Sequence, residues 1–305
     1  MQHKIGVDVG GADSDQQTLL SACEEAKASF PIRSYVTDDL SSKTVECVRC
    51  SDSITMDDRV LTAVRRKKDS SLVRALSDLL SGEISALVTC SHTGAVVAGG
   101  ALYLKRFSSL HHPALLTVLP SQTGKVIVLD VGAFVNASAH NLLEYACLGA
   151  SFAQVECTMS RPRLGLLNIA EESGKGTPEL QEIDRWLLRN ETKRWEYMGN
   201  IEPAALFSGA VDILITNGFV GNILLKTAEG MLSFMDRSPA DSLPTRPGAA
   251  LLAGVRGLIF KCHGNSSQNA ISGAIAQAEE AVSHRFVSHL EKEYASFSSL
   301  LSAFC

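Results

Sequence analysis

Apolar residues in this chain fall into short unbroken runs separated by longer stretches where they recur every three or four positions. Residues 5–9, 84–90, 114–119, 126–131, 164–169, 211–216 and 258–262 are apolar runs of strand length. Residues 31–36 and 44–48 read as further strands. Helical spacing marks residues 16–28, 55–66, 95–104 and 142–158. The Asp69-Ser70-Ser71 step reads as the N-cap of another helix, running to Leu80. Unbroken strands alternating with helices suit a parallel sheet buried on both faces. The expectation is therefore an α/β fold, a doubly wound and mostly parallel sheet with helices on both faces, built as one large domain over residues 1–305. The Ser-, Pro- and Arg-containing stretch 236–248 reads as a connecting loop.

In such sheets ligands gather at the carboxyl ends of the strands, so the loops after the strands carry the candidate chemistry. Arg65-Arg66-Lys67-Lys68-Asp69-Ser70-Ser71 sets cations and hydroxyls beside a helix N-terminus, where free N–H groups favour an anion. Ser91-His92-Thr93-Gly94 is a second strand-to-helix turn rich in donors. Residues 168–177 include Asn168, Glu171, Glu172 and Lys175. Asn217-Gly218-Phe219-Val220-Gly221-Asn222 precedes a helix carrying Lys226, and His263-Gly264 follows the last strand. Each loop alone also reads as an ordinary βα turn or a solvated helix end. Five of them on one expected sheet edge favour a phosphate or polyanion pocket. Nucleotide motifs do not fit. No G-x-G-x-x-G follows the first strand, and the Gly174-Lys175-Gly176-Thr177 stretch has Ile169 where a P-loop needs its first Gly.

Composition narrows the partners. The net charge of −5 argues against holding nucleic acid through a global basic field, while leaving room for a local anion site. The eight cysteines are irregularly spaced in a long chain, which does not suit a disulfide framework. The single C-x-x-C, Cys47 to Cys50, has no second ligand pair, so a zinc site there is not indicated. No signal-peptide pattern opens the sequence and no apolar stretch is long enough to span a bilayer, so a cytoplasmic location is expected.

The same loops resemble the PlsX-type phosphate acyltransferases of bacterial phospholipid synthesis. The likeness rests on Arg66-Lys67-Lys68-Asp69-Ser70-Ser71, Thr93-Gly94-Ala95, Leu104-Lys105-Arg106 and Leu129-Asp130-Val131-Gly132-Ala133. It continues through Gly165-Leu166-Leu167-Asn168-Ile169, Glu171-Glu172 with Lys175-Gly176, and Gly199-Asn200-Ile201-Glu202. Gly218-Phe219-Val220-Gly221-Asn222, Leu225-Lys226-Thr227 with Glu229-Gly230, and His263-Gly264 with Ser266 complete it, in the family's order over nearly the whole chain. The resemblance implies a fold like phosphate acetyltransferases and the isocitrate dehydrogenase group, and a homodimer. It implies transfer of a fatty acyl group from acyl carrier protein thioester to inorganic phosphate, with no cofactor or metal. The acyl phosphate would then feed a membrane glycerol-phosphate acyltransferase, with membrane contact at most peripheral.

On this resemblance Lys68, His92, Lys175 and Lys226 are the candidate catalytic residues. Lys67, Asp69, Ser70, Ser71, Thr93, Gly94, Asn168, Asn200, Asn222 and His263 are the candidate phosphate- and substrate-binding residues. Arg65, Arg66, Lys105 and Arg106 would form a local basic face for an acidic carrier protein. The sequence departs from the family pattern at His92, at Phe134-Val135-Asn136 and at Asn217, where other polar residues are usual. The family's helical hairpin is also shortened to a connecting loop at 231–248, since only 17 residues with three Pro separate Gly230 from Gly248. Two alternatives remain: a non-catalytic acyl- or phosphate-binding scaffold for lipid enzymes, and an acyl-CoA phosphotransferase. A β-decarboxylating dehydrogenase lacks support because no paired-Asp metal loop is present.

Overall fold

The computed structural model describes residues 3–235, 249–264 and 266–304. In chain order the elements are β1 (Ile5–Asp8), α1 (Gln16–Glu25), β2 (Ile32–Val36), β3 (Glu46–Arg49), α2 (Val60–Arg66), α3 (Ser71–Ser81), β4 (Ala86–Thr89) and α4 (Thr93–Tyr103). There follow β5 (Ala114–Ser121), β6 (Gly124–Leu129), α5 (Ala139–Cys157), β7 (Arg163–Leu167), α6 (Pro178–Arg189), β8 (Glu196–Ile201), β9 (Ile213–Ile215) and α7 (Gly218–Met235). The chain ends with β10 (Ala250–Ala253), β11 (Ile259–Lys261), α8 (Gln268–Ser283), α9 (Phe286–Ala295) and α10 (Ser298–Ser302). The strands are mostly parallel and helices cover both sides, so the expected α/β class holds.

The chain gathers into two compact units. The first comprises Met1–Arg106 and Gly248–Val287, the second Phe107–Pro247 and Ser288–Cys305. In the first unit β3, β2, β1, β4 and β11 pair in parallel and β10 adds antiparallel to β11. Ile5, Val7, Leu87, Val88 and Ile259 are fully or almost fully buried within this sheet. Asp15 starts α1 by accepting the Thr18 N–H, and Ser267 starts α8 by accepting the Ala270 N–H.

In the second unit β6, β9, β7 and β8 are parallel, and β5 pairs antiparallel with β6. The antiparallel pairs β5–β6 and β10–β11 depart from a uniformly parallel reading. Residues Ser121 to Gly124 make a tight return that continuous apolar runs do not reveal. Helix α5 is buried along almost its whole length from Ala139 to Ala153, as expected of a helix that is apolar nearly all round. A reciprocal cap fixes its start: Asn141 N–H donates to Ser138 Oγ and Ser138 N–H donates to Asn141 Oδ1.

Two further expectations change. Helical periodicity over 55–66 yields a helix only from Val60, because Asp58 instead accepts the Thr55 N–H and closes a turn. The first part of the 231–248 connecting loop is the end of α7, and its remainder, 236–248, lies outside the described residues. No described helix is long and apolar enough to cross a membrane.

A polar network ties β2 to α3 in the first unit. Arg33 Nη1 donates to Asp78 Oδ2 at 3.0 Å, Tyr35 Oη donates to the same oxygen at 2.7 Å, and Arg33 Nη2 reaches Glu46 Oε1 at 2.8 Å. Asp78→Ala leaves the Tyr35 hydroxyl and the largely buried Arg33 short of an acceptor. It should cost about 2–3 kcal/mol, read as a lower urea midpoint with an unchanged slope.

Candidate functional site

In the first unit a buried carboxylate organises the loops after β1 and β4. Asp8 is fully buried at the end of β1. Its Oδ2 accepts the Thr89 hydroxyl at 2.7 Å and the Ser91 hydroxyl at 2.6 Å. The glycines that follow Asp8 lie against two neighbouring loops. A Cβ on Gly10 would stand 2.8 Å from Ser71 Cβ, and a Cβ on Gly11 would collide with Ser91 Oγ. Only glycine allows this approach, so residues 8–11, the start of α3 and the start of α4 converge on one sheet edge. Asp13 N–H donates to the Gly264 carbonyl at 3.1 Å and brings the loop after β11 to the same edge.

The expected phosphate residues of this unit take distinct roles. Ser71 is fully buried in the first turn of α3, and its hydroxyl has no partner among the described residues. His92 precedes α4 as N-cap with Nδ1 likewise buried and unpartnered, and Thr93 and Gly94 form the first turn. Ser70 is the N-cap residue of α3, but its hydroxyl donates back to the Lys67 carbonyl at 2.8 Å. Lys67 is committed to the loop: its ammonium donates to Ser53 O and Asp58 Oδ2, both at 2.9 Å, and to Asp52 Oδ1 at 3.3 Å. The hydrogen bond to Asp58 holds the Lys67 ammonium above its ordinary pKa. Lys68 is exposed and donates to Tyr103 Oη at 2.8 Å. Asp69 accepts the Ser51 N–H and pairs with Arg74, and the Ser51 bonds hold its carboxyl below the usual range. His263 is exposed. Lys261, which the sequence reading passed over, is mostly buried. Burial lowers its pKa, opposed by Cys90, Cys262 and Asp8 nearby.

The second unit repeats the buried-carboxylate device at Asp130, fully buried after β6. Oδ1 accepts the N–H groups of Leu115, Gly132 and Ala133 at 2.8–3.0 Å, and Oδ2 accepts that of Phe134 at 2.7 Å. The start of α7 packs on this loop. Gly218 N–H donates to the Phe134 carbonyl, and a Cβ on Gly221 would strike the Asp130 carbonyl oxygen. Asn217 caps the helix by accepting the Val220 N–H at 2.9 Å. Asn222 donates to the Val131 carbonyl at 3.2 Å. Asn168 and Asn200 are buried and hydrogen-bonded to each other at 3.0 Å. Asn168 also donates to the Lys175 carbonyl, which shapes the loop after β7. The Lys175 and Lys226 side chains are exposed.

Asp8 and Asp130 were each legible as a lone charge in an apolar run, yet neither stood among the expected site residues. The Cys47–Cys50 pair looks structural. Each thiol donates to a carbonyl two residues earlier, and burial pushes Cys50 up to about 12.

Burial pushes the Asp130 carboxyl up to about 6, and its four backbone donors pull the other way. A value raised in the folded state means that the stability tied to Asp130 is fully present below about pH 4. It is lost as pH rises through about 6. Asp130→Asn presents an NH₂ group to donors, should cost about 2–3 kcal/mol at pH 7, and should flatten that stretch of the stability profile. Urea unfolding of both proteins across pH 4–7 measures both effects.

Comparison with known proteins places this geometry. The family model described as fatty acid synthesis protein matches residues 3–244. A phosphate acyltransferase from Exiguobacterium sibiricum is 35% identical over 94% of this chain and 97% of its own. One from Desulforudis audaxviator is 32% identical over 92% of each. Among solved structures, a branched-chain phosphotransacylase from Enterococcus faecalis V583 is similar in fold. Its TM-score is 0.66 at 16% identity, over 92% of this chain and 99% of that one. The EutD phosphotransacetylase from Staphylococcus aureus has a TM-score of 0.61 at 14% identity, over 92% and 94%. With a family match across most of its length and curated relatives above 30% identity, the chain belongs to the phosphate acyltransferase family of acyltransferase enzymes.

Proposed function

We propose that the acyl donor is a fatty acyl thioester of acyl carrier protein and that the acyl phosphate formed serves phospholipid synthesis. The observation that carries the phosphate half of this reading is the buried, unpartnered Ser71 hydroxyl at the N-terminus of α3. It lies on the sheet edge where the start of α4 and His92 also converge. Helix N-termini offer free N–H groups to phosphate oxygens, and these two buried side-chain atoms extend the donor set.

In the proposed reaction a phosphate oxygen attacks the thioester carbonyl. The tetrahedral oxyanion then collapses, the C–S bond breaks, and the sulfur leaves as thiolate. A thiol of ordinary pKa about 8.5 needs little acid assistance, so the protein's task is to align the reactants and stabilise the oxyanion. Lys68 suits a phosphate ligand because a single hydrogen bond to Tyr103 holds it at the surface, whereas the donors of Lys67 all serve its own loop. Catalytic roles for His92, Lys175 and Lys226 belong to the same proposal. So do homodimer formation and the hand-over of product to a glycerol-phosphate acyltransferase. Exposed Phe219, Val220 and Ile223 on α7 support peripheral membrane contact.

The test mixes purified protein, phosphate and an acyl thioester of carrier protein, and traps acyl phosphate as a hydroxamate. Turnover should occur and should exceed that with an acyl-CoA. Preference for the CoA thioester, or thioester binding without turnover, contradicts the donor assignment. Lys68→Ala should lower the rate about a hundredfold without moving the melting temperature, whereas Lys67→Ala should lower the melting temperature as the 52–58 loop loses its tether. A wild-type rate in Lys68→Ala removes that residue from the mechanism.

A further inference from the structure

In the second unit two imidazoles and one carboxylate converge away from any role in acyl transfer. His140 and Glu144 sit four residues apart at the start of α5, which sets them one turn apart on the same helix face. His111 comes from the segment before β5. One ligand atom from each lies within 4.8 Å of the other two. Glu144 is fully buried. His111 Nδ1 stands 2.6 Å from Glu144 Oε1, and His140 Nε2 faces the same oxygen at 3.6 Å, beyond hydrogen-bond reach.

Supporting contacts hold the carboxylate in place. The His111 backbone N–H donates to Oε1 at 2.9 Å and the Asn141 amide donates to Oε2 at 3.1 Å. The two imidazoles meet edge to face at 5.0 Å, and the His140 ring also packs against Phe304. Such outer contacts orient first ligands in metal sites.

We propose that His111, His140 and Glu144 bind a divalent transition-metal cation of the zinc class. Two imidazole nitrogens and one carboxylate oxygen are ligands that Zn²⁺ accepts at about 2.0–2.2 Å, which sets neighbouring ligand atoms roughly 3–3.5 Å apart. The observed 2.6 and 3.6 Å separations bracket that range. The His111 side chain is 64% exposed, and a shift of a few tenths of an ångström would bring both separations into that range. A metal takes the lone pair of His111 Nδ1, so binding replaces the His111–Glu144 hydrogen bond with a metal bond to each group. The ion would tie the segment before β5 to the start of α5. None of the three residues belongs to the proposed acyl-transfer machinery, so the inference stands apart from the donor assignment.

The experiment loads full-length protein with Zn²⁺, dialyses it and measures bound metal by mass spectrometry. Co²⁺ is titrated in parallel and followed by visible absorption. Wild type should retain one zinc equivalent, show Co²⁺ d–d bands without an intense thiolate charge-transfer band, and melt higher with zinc. His111→Ala, at an exposed position, should fold normally and lose the equivalent, the cobalt bands and the zinc-dependent melting shift. His140→Ala should behave alike, and a Cys47→Ser, Cys50→Ser double variant should keep all three. Absence of retained zinc in wild type, undiminished zinc in His111→Ala, or thiolate charge transfer that disappears with the cysteines overturns the proposal.

Discussion

A carboxylate buried at the carboxyl end of a strand has to find its donors within the protein, because losing water without replacement costs several kcal/mol. Among the described residues each unit has such a group, Asp8 and Asp130, and the donors to it come from the loops at that sheet edge, although Asp8 Oδ1 has no partner among them. Asp8 draws in the hydroxyls of Thr89 and Ser91, which fixes the turn into α4 against the glycines after β1. Asp130 draws in four backbone N–H groups and shapes the loop on which α7 begins. In both cases the carboxylate holds neighbouring loops in one arrangement.

The cations after α2 divide in their contacts as well. Lys67 has two carboxylates and a carbonyl to hold it, and it secures the chain leading into α3. Lys68, one residue on, projects from the secured segment with one neutral partner. Adjacent lysines thus separate into an internal tether and an exposed cation. Ser70 and Ser71 separate in the same way: one hydroxyl closes its own turn, and the other is buried with no partner among the described residues.

Much of the fold was readable from periodicity. The unbroken runs gave β1, β4, β7, β9 and β11 within a residue or two, and the Ser70–Ser71 step marked the start of α3. Strand direction was not readable, since an apolar run buried in an antiparallel pair resembles one in a parallel sheet. The Gly124 turn between β5 and β6 was the missed signal. Strand β8 leaves little mark in the sequence because its first residues alternate in burial at the edge of their sheet, and α6 because its Thr177-Pro178 start follows a polar loop directly. The return of residues 248–287 to the first unit is a tertiary event with no local sequence mark. The motif loops themselves were legible. The roles inside them were less so, because the acceptors of Lys67 lie up to fifteen residues away and the donors to Asp8 more than eighty.

If phosphate binds at the edge shared by α3 and α4 in the first unit with the Ser71 hydroxyl among its ligands, as proposed, the melting temperatures of wild type and Ser71→Ala with and without inorganic phosphate will show it. A ligand at a hundred times its Kd stabilises the folded state by about 2.7 kcal/mol, a readily measured shift. Removing a buried, unpartnered hydroxyl should leave the phosphate-free melting temperature unchanged or slightly raised. The account predicts that wild type is stabilised by phosphate and that Ser71→Ala loses most of that shift. An equal phosphate-induced shift in both proteins contradicts it.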